Sequence, residues 1–209
     1  MTRALLALAL AAPLAVFAEG KATDPFVKGD AGAGAGKAAV CAACHGVAGN
    51  GIINPEWPKL AAQGSSYTAH QLKAFKAGER KNAVMQGQAA TLSEQDMADL
   101  GAYFATQKAV PGLAAKESVA IAARLYRAGD AARGLPSCSS CHGPTGAGQP
   151  SAQYPRIGGQ NAAYTANQLK AYKSGERAAG KHAPIMVAVA AKLTDEEMAA
   201  LASYVNGLQ

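Results

Sequence analysis

The chain has 209 residues and a mass of 21.1 kDa, room for one large domain or two of roughly 100 residues. A hydrophobic fraction of 49% argues against disorder, and the 23 glycines follow no collagen-like or linker period. The formal charge of +6 does not indicate nucleic-acid binding, because the basic residues fall in no recognised nucleic-acid fold.

In chain order, Met1 to Arg3 carries one positive charge, Ala4 to Phe17 is an apolar run broken only by Pro13, and Val16 and Ala18 stand where signal peptidase needs small residues. The run reads as an export signal over residues 1–18, too short for a membrane span of roughly 20 residues. An uncleaved anchor is the alternative. Cleavage after Ala18 leaves 19 basic against 14 acidic residues and a mature chain in the periplasm. Residues 19–107, 108–116 and 117–209 then read as an N-terminal domain, a linker and a C-terminal domain.

A small-residue helix over Ala33 to Cys44 leads into the string CAACH, formed by Cys41, Cys44 and His45. C-x-x-C-H is the attachment signature of c-type haem: two thiols add to the two vinyl groups, and the adjacent imidazole faces the iron. A zinc site, a redox dithiol and structural disulfides are the alternatives; a redox dithiol would not need histidine at the next position twice, and a Cys-x-x-Cys disulfide closes an awkwardly small loop. A middle helix follows at Ser66 to Ala77. Ser93 with Asp96 then fits an N-cap and its third-position partner, and Leu92 with Met97 fits a hydrophobic staple, which assigns Met97 to the core. Met85 lies before that helix in a Gly-containing segment read as a loop.

The second half repeats the first. Cys138, Cys141 and His142 form CSSCH at an offset of 97, and the same offset takes Gln63 onto Gln160, Tyr67 onto Tyr164 and Gly78-Glu79-Arg80 onto Gly175-Glu176-Arg177. Beyond Arg177 the offset becomes 101, placing Met85 on Met186, Met97 on Met198 and Tyr103 on Tyr204. Four extra residues therefore lie near Ala178 to Lys181. Ser118 to Ala128 reads as the helix leading into the second motif, Ala163 to Ser174 as the middle helix, and Thr194 with Glu197 as the cap of the last. No alternating run is long enough for a strand, so the chain is all-α, with both haems of the c type.

An iron that shuttles electrons without binding substrate needs a second axial ligand, and thioether sulfur favours the ferrous state. With Met1 and the two helix-core methionines set aside, Met85 and Met186 remain, 40 and 44 residues after His45 and His142. His70 and His182 compete, but neither has a histidine at the equivalent position. Trp57, Tyr154, Tyr67 and Tyr164 read as lining the porphyrin, and Tyr103 and Tyr204 as packing residues. Lys73, Lys76, Arg80 and Lys81, with Lys170, Lys173 and Arg177, read either as a docking patch for an acidic partner or as ordinary solvated faces.

The segments CAACHG and CSSCHG, PKLAAQ and PRIGGQ, YTAHQLKAFKAGER and YTANQLKAYKSGER resemble the dihaem cytochrome c4 family, from about residue 29 to 209. That resemblance implies two tandem class I cytochrome c domains with His/Met coordination, by His45 with Met85 and His142 with Met186. It implies that the carbonyls of Pro58 and Pro155 accept from the histidine Nδ1 atoms, and that propionates meet near the domain interface. It further implies a carrier, with no catalytic residues, moving electrons from a donor complex towards a terminal oxidase, with or without peripheral membrane association. Two other readings stand beside it: the cytochrome subunit of a flavocytochrome dehydrogenase oxidising sulfide, and a dihaem peroxidase. The peroxidase would need a releasable axial site.

Overall fold

The computed structural model describes residues 28–51 and 53–209; the expected export signal lies outside them. Among the described residues there are nine α-helices, a few short 3-10 turns, and two isolated bridges in place of any strand. The N-terminal domain carries α1 (Ala31–His45), α2 (Ser65–Lys76), α3 (Ala83–Ala90) and α4 (Glu94–Thr106). The C-terminal domain carries α5 (Lys116–Ala128), α6 (Ser139–His142), α7 (Ala162–Lys173), α8 (Ala183–Ala190) and α9 (Asp195–Asn206). The connection spans 107–115, and Lys116, read as the last linker residue, is the first residue of α5.

Each domain uses the same plan. The first helix packs on the last and the middle helix packs beside it, as α1 and α2 on α4 and α5 and α7 on α9. The two cores are built from equivalent positions: Leu60, Leu72, Leu100 and Tyr103 in one, Ile157, Leu169, Leu201 and Tyr204 in the other. Met97 and Met198 are fully buried. Both last helices open on complete capping boxes, Ser93 with Asp96 and Thr194 with Glu197, each satisfying two N–H groups that a helix start would otherwise leave unpaired.

The first helices solve their packing differently. A Cβ on Gly34 would lie 2.1 Å from the carbonyl oxygen of Asp99, so α1 crosses α4 at a distance only a hydrogen allows. Asp99 is buried there, accepting from the Asp30 N–H at 2.9 Å and Lys37 Nζ at 2.8 Å. In the C-terminal domain large side chains fill the same crossing: Tyr126 is fully buried and its ring meets Tyr204 at 5.5 Å. The sequence reading made α5 the helix that leads into the second motif, and the structure corrects this. Helix α5 stops at Gly129, whose φ of 69° ends it, and a loop closed by the Asp130–Leu135 bridge precedes the motif. The Tyr126 hydroxyl donates to the Gly143 carbonyl at 2.6 Å and ties the helix to the motif across that loop.

The domains meet through contacts that repeat under the internal symmetry. Gln63 Nε2 donates to the Arg156 carbonyl and Gln63 Oε1 accepts the Arg156 N–H, at 3.0 and 2.9 Å. Gln160 does the same to Lys59 at 2.9 and 2.8 Å. Arg80 donates to Tyr164 and Gln168 across the boundary, and Arg177 donates to Tyr67 and Gln71. Each guanidinium also sits over an aromatic ring of its own domain, Phe75 or Tyr172, at 4.5 and 4.7 Å.

Candidate haem-binding sites

In the N-terminal domain α1 runs without a break through Cys41 and Cys44 to His45, its last residue. In the C-terminal domain the one-turn α6 carries Cys141 and ends at His142, with Cys138 at its N-cap position. In both, the residue after histidine is a glycine at positive φ, Gly46 at 72° and Gly143 at 79°, which turns the chain away and leaves the imidazole facing inward.

His45 and His142 are each 7% exposed, and their Nδ1 atoms lie 2.8 and 2.9 Å from the carbonyl oxygens of Pro58 and Pro155. A carbonyl only accepts, so Nδ1 carries the proton and the Nε2 lone pair is free to bind a metal. Burial lowers the pKa of both rings and keeps them neutral. All four cysteines are unpaired. Burial raises the pKa of Cys41 and pushes Cys138 up to about 11, so both are held as thiols. Among the described residues no group of three or more His, Cys, Asp and Glu is placed to hold a metal ion.

This donor set fits haem c. Cys41 borders the same apolar cluster as Leu60, Leu72 and Leu92, and Cys138 borders the cluster that includes Ile157, Leu169 and Val189. A porphyrin attached at those thiols would lie against an apolar wall, and His45 and His142 would supply the imidazole nitrogens for its metal.

Met85 and Met186 are half-buried and occupy equivalent positions, but in helices and not in loops. Asn82 caps α3, its side chain accepting from the Met85 N–H at 2.9 Å, and Pro184 sits in the first turn of α8, where a missing N–H costs nothing. His182 bonds through Nε2 to the Ala152 carbonyl at 2.8 Å and stacks on Tyr154 at 4.6 Å. His70 is half-buried on α2, beside the Gly180 segment of the other domain.

Several residues read as porphyrin-lining or partner-facing have other contacts. The hydroxyls of Tyr67 and Tyr164 accept from Arg177 and Arg80, and Trp57 is 38% exposed. Lys76 and Lys173 donate to the carbonyls of Leu92 and Leu193, and Lys73 pairs with Glu94 at 3.3 Å. Those three cations are bonded within their own domains. Sequence reasoning missed the interdomain role of Gln63 and Gln160; their repetition at one offset was the only signal available.

Two helical domains, each presenting unpaired C-x-x-C thiols and a carbonyl-oriented histidine, define a dihaem c-type cytochrome. The Cytochrome c family matches the chain twice, over residues 30–108 and 120–209. Cytochrome c4 of Pseudomonas aeruginosa is 46% identical over 180 residues, 86% of this chain and 89% of that protein. The crystal structure of reduced recombinant cytochrome c4 from Pseudomonas stutzeri matches with a TM-score of 0.83 at 44% identity, covering 87% of this chain and 100% of that one. The chain belongs to the cytochrome c4 family: it carries two haem c groups and is an electron-transfer protein, not an enzyme. A thiosulfate dehydrogenase electron acceptor of Thiomonas intermedia is also similar, 39% identical over 80% of this chain and 78% of its own length.

Proposed function

We infer that the protein is a periplasmic carrier of single electrons in a respiratory chain, reduced by a donor complex and oxidised by a terminal oxidase. Cys41 and Cys44 attach one haem and Cys138 and Cys141 the other. His45 with Met85, and His142 with Met186, would hold the two irons. When bound, each haem supplies one iron that alternates between ferric and ferrous states. The chain's part is to hold that iron in one geometry in both states and to keep other ligands from it. The carbonyls of Pro58 and Pro155 fix the imidazole planes and raise their basicity, and the buried clusters beside the thiols exclude water.

The observation that carries this reading is the identity of the two sites: the same imidazole–carbonyl contact within 0.1 Å, and a methionine at the same repeat position in each. A peroxidase would be expected to treat its two irons differently. Among the described residues no helix is long and apolar enough to cross a membrane. The test is rapid mixing of the reduced protein with a terminal oxidase: oxidation of both haems at a rate that saturates with oxidase supports the reading, and failure to oxidise either contradicts it.

The similarity to a thiosulfate dehydrogenase electron acceptor favours a second reading, in which the donor is a sulfur-oxidising enzyme. Rapid reduction by a thiosulfate dehydrogenase, and slow reduction by a quinol-oxidising complex, would select it. Stable co-purification with a flavoprotein would instead select the flavocytochrome-subunit reading.

A further inference from the structure

The two sites are joined through single peptide groups. His45 Nδ1 contacts the Pro58 carbonyl oxygen at 2.8 Å. The N–H of that same peptide unit, belonging to Lys59, donates at 2.8 Å to Oε1 of Gln160 in the other domain. The mirror path holds: His142 Nδ1 to the Pro155 carbonyl at 2.9 Å, and the Arg156 N–H to Oε1 of Gln63 at 2.9 Å. Each glutamine is held in place. Its Nε2 donates to the next carbonyl, of Lys59 or Arg156, and its Oε1 also accepts the following backbone N–H, of Asn161 or Gly64. Lys59 and Gln63 are each 9% exposed, so water competes little for these bonds.

We propose that Gln160 and Gln63 are positioning residues that act across the domain boundary, each setting the donor strength of the axial histidine in the domain to which it does not belong. The proposal rests on His45 and His142 being axial ligands. The physical argument is hydrogen-bond cooperativity. An acceptor on a peptide N–H shifts electron density through the amide towards its carbonyl oxygen, which becomes a better acceptor. A stronger pull on the Nδ1 proton makes the imidazole more basic at Nε2, and a more basic ligand favours ferric iron. Each glutamine therefore lowers the potential of the opposite haem. The pairing is reciprocal, and it fixes the relative placement of the two imidazoles through two short hydrogen-bonded paths.

The test uses the intact dihaem protein, with haem signals assigned by domain. Gln160→Leu is expected to raise the potential of the N-terminal haem and leave the C-terminal one in place, and Gln63→Leu to do the reverse. Gln160→Glu, which offers a charged acceptor to the same N–H, is expected to shift the N-terminal haem the opposite way. A role confined to packing would loosen the interface and move both haems together, or move the haem of the mutated domain; either pattern, or no shift at all, overturns the proposal. Labelling histidine nitrogen in the oxidised wild-type protein separates the two levels. Hyperfine-shifted His45 and His142 signals without crosswise shifts sink the glutamine proposal alone, whereas their absence sinks the ligand reading on which it rests.

Discussion

At the residue scale, the methionines divide by their surroundings. Met97 and Met198 are fully buried at the fourth positions of α4 and α9, where each fits as a staple partner of the leucine preceding the cap, whereas Met85 and Met186 remain half-buried on the short helices before them. Replacing Met85 or Met186 with histidine is expected to lower the potential of one haem each and to remove that haem's iron–sulfur absorption band, since imidazole stabilises ferric iron relative to thioether. Met97→Leu should leave both bands intact and cost less than about 1.5 kcal/mol of stability, as a near-isosteric core exchange does. Optical spectra with a redox titration decide between the two pairs, and loss of a band in Met97→Leu would reverse the assignment.

At the element scale, the helix starts show which parts of the fold could be read from sequence. Ser93 and Thr194 announced α4 and α9 because a capping box is written in residues three apart. The Gly-containing segment around Met85 reads as a loop, yet it forms the short helix α3, and its repeat counterpart forms α8. In the fold Asn82 caps one, Pro184 occupies the first turn of the other, and packing against α2 and α7 supplies what propensity lacks. Removing a cap should show its worth: Ser93→Ala or Thr194→Ala is expected to cost about 1 kcal/mol in denaturant unfolding. Gly34→Ala is expected to cost more, roughly 1–3 kcal/mol, because the new methyl group meets the Asp99 carbonyl and must push α1 off α4.

The same crossing carries a pH dependence. The Asp30 N–H, Lys37 and Gln95 hold Asp99 below the usual carboxylate range, and Ser93 with Lys37 lowers Asp96 to about 2. A carboxylate with a depressed folded pKa contributes stability above its unfolded value, about 4, and loses that contribution as pH falls through the folded value. The stability of the N-terminal domain should therefore decline from about pH 4 downward. Asp99→Asn should flatten that limb when unfolding is followed at a series of pH values, and an unchanged slope would remove Asp99 from the account.

At the scale of the molecule, the duplication was legible and the contact it produces was not. Equal offsets revealed two copies of one domain, but Arg80 and Arg177 looked like surface cations because a helical face gives no sign that another domain covers it. In the structure each arginine serves a glutamine of its own domain and a tyrosine and glutamine of the other. Arg80→Ala would remove one donor each from Tyr164, Gln71 and Gln168, the two glutamines keeping their bonds from Arg177. It is expected to destabilise the protein by about 1–3 kcal/mol and to lower the melting of both domains together. A calorimetric scan in which only the N-terminal domain melts earlier would show that the boundary contributes little.

The central claim is that two haem irons, each closed by histidine and methionine, exchange electrons without offering a site for chemistry. Spectroelectrochemical titration of the holoprotein, with spin state recorded at each potential, tests it most directly. Two one-electron steps are predicted, with both haems low-spin in the oxidised, half-reduced and reduced states and both iron–sulfur bands retained when oxidised. A high-spin haem appearing at half reduction, together with sustained turnover of added peroxide, would contradict the account and make one of the two methionines a displaceable ligand.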